Sequence, residues 1–63
     1  MKMSGKKLFR IDYIFYRFLL CGVYTRSFGI FPGTDEKEAI EALEIYLKHY
    51  GFALDQVCNI SPA

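Results

Sequence analysis

The chain has 63 residues, of which 52% are hydrophobic, 17% aromatic and 24% charged, and its formal net charge is +1. A chain this short forms a single domain and buries only about 60% of the surface that its unfolded state exposes. This excludes a deep catalytic cleft between two lobes. The apolar content excludes intrinsic disorder, because a disordered chain lacks the hydrophobic material that offsets its ordering entropy.

The charges are unevenly distributed along the chain. Residues 1–33 carry six Lys or Arg against one Asp, whereas residues 34–63 carry six Asp or Glu against two Lys. Such a split indicates either an electrostatic partner or an acidic helix packed beside a basic hairpin in the same molecule. The second interpretation is favoured, because the net field of such a molecule is small.

The N-terminal region superficially resembles a secretory signal, since three lysines precede an apolar stretch from Ile11 to Tyr24. Asp12 and Arg17 interrupt this stretch, and it is shorter than the roughly 20 apolar residues that span a bilayer. We therefore expect a cytoplasmic protein without membrane contact. Residues 1–6 are predicted to form a flexible tail and residues 7–63 a single domain.

Two strands are predicted in the first half of the chain, before a helix that begins near residue 35. They extend from Leu8 to Phe18 and from about Gly22 to Phe31, with a turn at Arg17 to Gly22. Alternate residues of the first strand form an uninterrupted apolar row that should face the helix, namely Phe9, Ile11, Tyr13 and Phe15. Gly29 suggests a bulge that would change the facing of Phe28, Ile30 and Phe31. A short third strand is predicted from Gln56 to Ile60.

A helix is predicted over residues 35–50. Asp35 and Glu38 have the spacing of a capping box, and acidic residues in the first turn suit the positive end of the helix dipole. Apolar residues recur at helical spacing at Ile40, Leu43, Leu47 and Tyr50. Gly51 is expected to end the helix in a left-handed conformation.

The predicted fold is α+β with the order β-β-α-β. A right-handed crossover through the helix places the third strand beside the first, which gives a three-stranded sheet of order 2-1-3 with the helix on one face. This layout, with the run from Thr34 to Leu43, resembles many short uncharacterised proteins of phages and mobile elements. The resemblance covers residues 8–60 and implies an accessory or regulatory protein, with no catalytic residue carried over.

The sheet face without the helix is the predicted binding surface. Large exposed apolar patches on small proteins usually mark interfaces, and Tyr, Phe and Arg are enriched at interface centres. The alternatives are that the first strand has its faces reversed or that the tail covers the patch. We expect either a homodimer or docking of another protein, through Arg10, Ile14, Tyr16, Phe18, Tyr24 and Arg26.

Binding of single-stranded nucleic acid is the alternative function. Aromatic side chains on an open sheet, flanked by Lys and Arg, can stack bases. Against it, the chain has no segment like the aromatic motifs of RNA-recognition folds, and its acidic helix opposes phosphate binding.

Catalysis is not expected. The single histidine, His49, falls in the last helical turn, where a capping or solvated role explains it. Cys21 and Cys58 are too few for a disulfide scaffold and are interpreted as small core hydrophobes. We therefore expect no catalytic residue, no metal site, no cofactor and no small-molecule substrate.

Overall fold

The computed structural model describes residues 5–17 and 20–63 as three strands and one helix. These are β1 (Lys7–Arg17), β2 (Leu20–Gly33), α1 (Glu36–His49) and β3 (Phe52–Pro62). β1 pairs antiparallel with β2 on one side and with β3 on the other, in the order β2-β1-β3. The predicted α+β fold, its element order and its strand order are confirmed.

The core lies between α1 and one face of β1. The predicted apolar row faces the helix, and its first three members are buried against the inner face of α1. Ile11 and Leu43 are the two largest fully buried side chains among the described residues. Among the residues whose side chains the structure describes, the buried hydrophobic residues are Phe9, Ile11, Tyr13, Ala39, Leu43 and Leu47, with Phe15 partly buried beside them.

The start of α1 is fixed by side-chain capping. Asp35 is the N-cap, and its Oδ1 accepts a hydrogen bond from the backbone N–H of Glu38 at 2.9 Å. Glu38 Oε1 in turn accepts from the backbone N–H of Thr34 at 2.8 Å. Both bonds satisfy donors that would otherwise lack a partner at a helix start.

A glycine is required near each end of α1. A Cβ atom at Gly33 would lie 2.5 Å from the backbone nitrogen of Ala39, so only glycine lets the first turn of α1 approach the end of β2 this closely. At the other end, Gly51 has a φ of 82° and turns the chain into β3, as predicted.

The structure corrects two features of the predicted hairpin. Gly29 pairs in register with Ile11, and the pairing shifts instead after Tyr16, near the hairpin end. The expected bulge at Gly29 is therefore wrong. β2 also begins at Leu20 rather than near Gly22, while residues 18 and 19 of the predicted turn lie outside the described residues.

β3 differs from its prediction in length and regularity. It extends over Phe52–Pro62 rather than Gln56 to Ile60, because Phe52 and Leu54 also pack against the core. Its pairing with β1 shifts twice, which leaves Asp55 and Cys58 as extra residues. Cys58 is exposed, so its predicted place in the core is wrong; the side chain of Cys21 lies outside the described part of the structure.

Replacement of Leu43 by Ala tests the core. Because Leu43 is fully buried, the variant should lose about 2–5 kcal/mol of unfolding free energy. Urea unfolding followed by circular dichroism measures this loss. Ile45→Ala, two residues along the same helix and exposed, is the control and should change stability by less than about 0.5 kcal/mol. Equal stability of the two variants would contradict the assignment of the helix face.

Candidate functional site

The candidate site is the sheet face opposite α1, called the open face below. The strand register assigns alternate residues of β1 and β2 to it, because successive side chains of a strand point to opposite faces. From β1 these are Leu8, Arg10, Asp12, Ile14 and Tyr16. From β2 they are Tyr24, Arg26, Phe28, Ile30 and Pro32.

The open face is apolar and aromatic along β1 and β2. Phe28 is 59% exposed, Tyr24 57%, Leu8 56% and Ile30 50%. The β3 positions that pair with this face of β1 are small or polar, namely Ala53, Gln56, Asn59 and Ser61. The apolar surface is therefore concentrated over the hairpin, and exposed patches of this kind usually mark sites of interaction.

Arg10 links the charged and aromatic parts of the open face. Its guanidinium carbon lies 4.4 Å from the centroid of the Phe28 ring, within the range of a cation–π contact. Its Nε lies 3.6 Å from Oδ1 of Asp12. These contacts place the Arg10 guanidinium beside an aromatic ring and a carboxylate, and its planar group can still offer directional hydrogen bonds.

Two tyrosines form a second aromatic pair nearer the hairpin end. Tyr16 and Tyr24 are directly opposed across β1 and β2, and their ring centroids are 5.4 Å apart. The rings are inclined at 57°, so the pair presents ring edges and hydroxyl groups as well as ring faces.

The structure brings five of the six predicted binding residues to the open face: Arg10, Ile14, Tyr16, Tyr24 and Arg26. The sixth, Phe18, lies outside the described residues. The open face also contains Phe28 and Ile30, which were not predicted there because a bulge at Gly29 would reverse their facing. The signal that could have found them is the alternation from Tyr24 to Ile30, in which every second residue is large or basic.

The described part of the chain contains the side chains of one histidine and one cysteine, His49 and Cys58. No group of three or more His, Cys, Asp or Glu residues there could hold a metal ion. His49 packs edge-on against Tyr50, with ring centroids 5.1 Å apart. The thiol of Cys58 has Gln56 Nε2 at 4.0 Å.

A cavity of about 250 Å³ lies between the C-terminal half of α1 and the start of β3. It is smaller than typical ligand pockets of about 300–1,000 Å³. None of the predicted binding residues lines it; its lining consists of Glu44, Lys48, Gly51, Phe52, Ala53 and Leu54.

Comparison with protein-family models, with curated proteins and with solved structures found no match to this chain. Within residues 5–17 and 20–63, no helix is both long and apolar enough to cross a membrane.

Replacement of Phe28 by Ala tests whether the open face contributes to folding or is available for binding. Because the Phe28 ring is mostly exposed and lies under the guanidinium of Arg10, its loss should cost less than about 1 kcal/mol. Thermal unfolding of Phe28→Ala measures this cost. Phe9→Ala, on the buried face of the same sheet, is the comparison and should cost about 3–5 kcal/mol. Similar losses for both variants would show that Phe28 is a structural residue.

Proposed function

We propose that this protein is a small non-enzymatic accessory or regulatory protein of the cytoplasm, which binds a partner protein and acts by occupying a surface on that partner. The observation that supports this proposal is the apolar and aromatic open face over β1 and β2. The resemblance to short phage and mobile-element proteins, which rests on the β-β-α-β layout, agrees with such a role.

The electrostatics of the open face favour a protein surface that combines apolar groups with carboxylates. The register gives this face two arginines and one aspartate from β1 and β2. Asp12 lies beside Arg10, whereas Arg26 has no ion pair among the described residues. A carboxylate of the partner opposite Arg26 would supply the missing charge, and arginine binds carboxylates with directional, often paired hydrogen bonds.

Single-stranded nucleic acid is the second candidate, since exposed rings and arginines lie together on one sheet. The contacts of Phe28 argue against it. Stacking of a base requires a free ring face, and the guanidinium of Arg10 already lies over the Phe28 ring at 4.4 Å. The same guanidinium is close to Asp12, which lowers its attraction for phosphate.

Capture experiments with matched variants test the protein-binding proposal. Phe28→Glu places a charge in the centre of the open face, and Ile45→Glu places the same charge on the exposed side of α1. A partner of the open face should be retained by the wild-type protein and by Ile45→Glu, but lost by Phe28→Glu. Equal retention by the two variants would contradict the proposed surface.

Fluorescence anisotropy with a labelled oligonucleotide tests the nucleic-acid alternative. We expect feeble binding by the wild-type protein and by the double variant Arg10→Glu/Arg26→Glu, at low and at moderate salt. Tight binding that falls steeply with salt and is lost in the double variant would replace the protein partner with nucleic acid, because phosphate contacts release counterions.

A further inference from the structure

Within residues 5–17 and 20–63, the outer edge of β2 is regular, whereas the outer edge of β3 is interrupted. Both are outer strands of the sheet, and an outer strand with free backbone groups can pair with another strand unless bulges, charges or proline protect it. The pairing of β3 is interrupted next to Asp55 and next to Cys58. β2 pairs without interruption from Tyr24 to Gly33, so it offers the regular edge.

The hydrogen bonding of β1 shows which groups of β2 point outward. The N–H of Ala63 donates to the carbonyl of Leu8 at 2.8 Å, so the backbone of Leu8 points toward β3. Because backbone direction alternates along a strand, odd-numbered residues of β1 point toward β2. The β2 residues opposite these odd-numbered residues use their backbone N–H and C=O groups to bond to β1. The alternate residues of β2 direct their backbone groups toward the outer edge, namely Tyr24, Arg26, Phe28 and Ile30.

Pro32 agrees with this assignment. It follows the same alternation, so its nitrogen lies on the outer edge, where proline is tolerated because no sheet hydrogen bond is lost. The outward N–H groups of this regular segment therefore extend from Tyr24 to Ile30 and end at Pro32.

We propose that β2 pairs antiparallel with β2 of a second copy of this chain, about a two-fold axis through Ser27, to form a continuous six-stranded sheet. This register pairs Arg26 with Phe28 of the second copy, and Tyr24 with Ile30. It matches all four residues with outward N–H groups to one another. An axis through Phe28 would instead pair Tyr24 with Pro32, which lacks a donor.

Charge selects the same register. An axis through Arg26 would place the two Arg26 guanidiniums directly opposite each other, and like charges opposed across strands are destabilising. In the Ser27 register each Arg26 lies opposite the uncharged Phe28 of the second copy, so this repulsion is absent. A two-fold interface requires a self-complementary surface, and this arrangement satisfies that condition.

The helix side of the sheet provides a second contact in the same register. Val23 is 60% exposed and immediately precedes the regular pairing that begins at Tyr24. The proposed dimer continues the alternation of β2 to Val23 and so places its side chain on the helix side. The Ser27 register places Val23 opposite Phe31 of the second copy, where the Phe31 ring packs against Tyr46 at a centroid distance of 5.6 Å. The contact occurs twice, once on each side of the axis, and buries apolar surface that a single chain exposes.

The two helices fit side by side in this dimer. Three strand spacings of about 4.8 Å separate β1 from β1 of the second copy, or about 14 Å, whereas a helix is about 10–12 Å wide. Tyr46 and Tyr50, whose rings are 5.1 Å apart, border the gap on the side of β2. Glu44 and Lys48 line the cavity beside β3 that is described above. Glu41 lies with them and with Ile45 around a second cavity on the helix. These charges are therefore away from the gap.

Sedimentation velocity across concentrations up to about 100 μM tests the dimer. The wild-type protein should form dimers, and Tyr46→Lys should weaken them about tenfold or more, because it places a charge at the gap between the two helices, next to the contact of Phe31 with Val23 of the second copy. Ile45→Lys, which puts the same charge on the outer side of the same helix, should dimerise as the wild type does. A monomeric wild-type protein, or equal effects of both variants, would overturn the proposal.

Disulfide crosslinking tests the register in a chain with Cys21→Ser and Cys58→Ser. In the proposed dimer the two Ser27 residues face each other in a non-hydrogen-bonded pair, with Cα atoms about 4.5 Å apart, which allows a disulfide. Ser27→Cys should therefore form a covalent dimer on mild oxidation. Thr25→Cys, on the same side of the strand but about 13 Å from its counterpart, should remain uncrosslinked. Equal crosslinking, or none through Ser27→Cys, would overturn the register.

In this dimer the side chains of the open face stay on the sheet surface, and those of Arg26 and Phe28 become neighbours across the joined edges. The dimer does not depend on the proposed function. Loss of the dimer with an intact partner interaction would refute the edge pairing alone. A dimer that fails to retain any partner would refute the function of the open face alone.

Discussion

The packing of one helix against the centre of a three-stranded sheet determines the rest of this structure. α1 is 14 residues long and covers the face of the sheet that contains Ile11. A chain of 63 residues has no second layer to place on the opposite face in its described part. The aromatic residues that favour strand formation in β1 and β2 therefore divide between the two faces. Phe9 and Tyr13 are buried under the helix, whereas Tyr24 and Phe28 are exposed on the other face. Stability therefore depends on one face of these strands, and the opposite face is left exposed.

The sequence predicts the parts of the fold that depend on local chemistry. The alternation in β1 identified the buried face, since four apolar residues at a period of two have no comparable pattern on the other side. The spacing of Asp35 and Glu38 located the start of α1 because capping involves only neighbouring residues. The extent of β3 could not be predicted in the same way. The two register shifts of β3 arise from its pairing with β1, and no residue in the run from Asp55 to Cys58 predicts them.

The candidate site was predicted only in part, because some of its residues depend on strand pairing rather than on local pattern. Arg10, Ile14 and Tyr16 follow directly from the facing of β1, whereas Phe28 depends on the register of β2 across Gly29. A glycine in a strand indicates either a bulge or a close approach of another group. Here it is the second, because a Cβ at Gly29 would lie 2.7 Å from the Phe31 ring. Sequence alone does not distinguish these two roles, and only the first reverses the side chains that follow.

The strand order has a consequence for the path of folding. β1 and β2 are neighbours in sequence, so their pairing closes a short loop, and α1 forms from local hydrogen bonds. β3 pairs with β1 across nearly the whole chain, as in the pairs Ile11–Ile60 and Phe9–Pro62. Closing such a loop costs more entropy and is slower than closing the hairpin. The hairpin and helix can therefore assemble first, with Phe52, Leu54 and Ile60 completing the core last. Until β3 pairs, one edge of the central strand β1 would be free. Another chain could pair with that edge by mistake during folding, although the edge is covered in the folded protein.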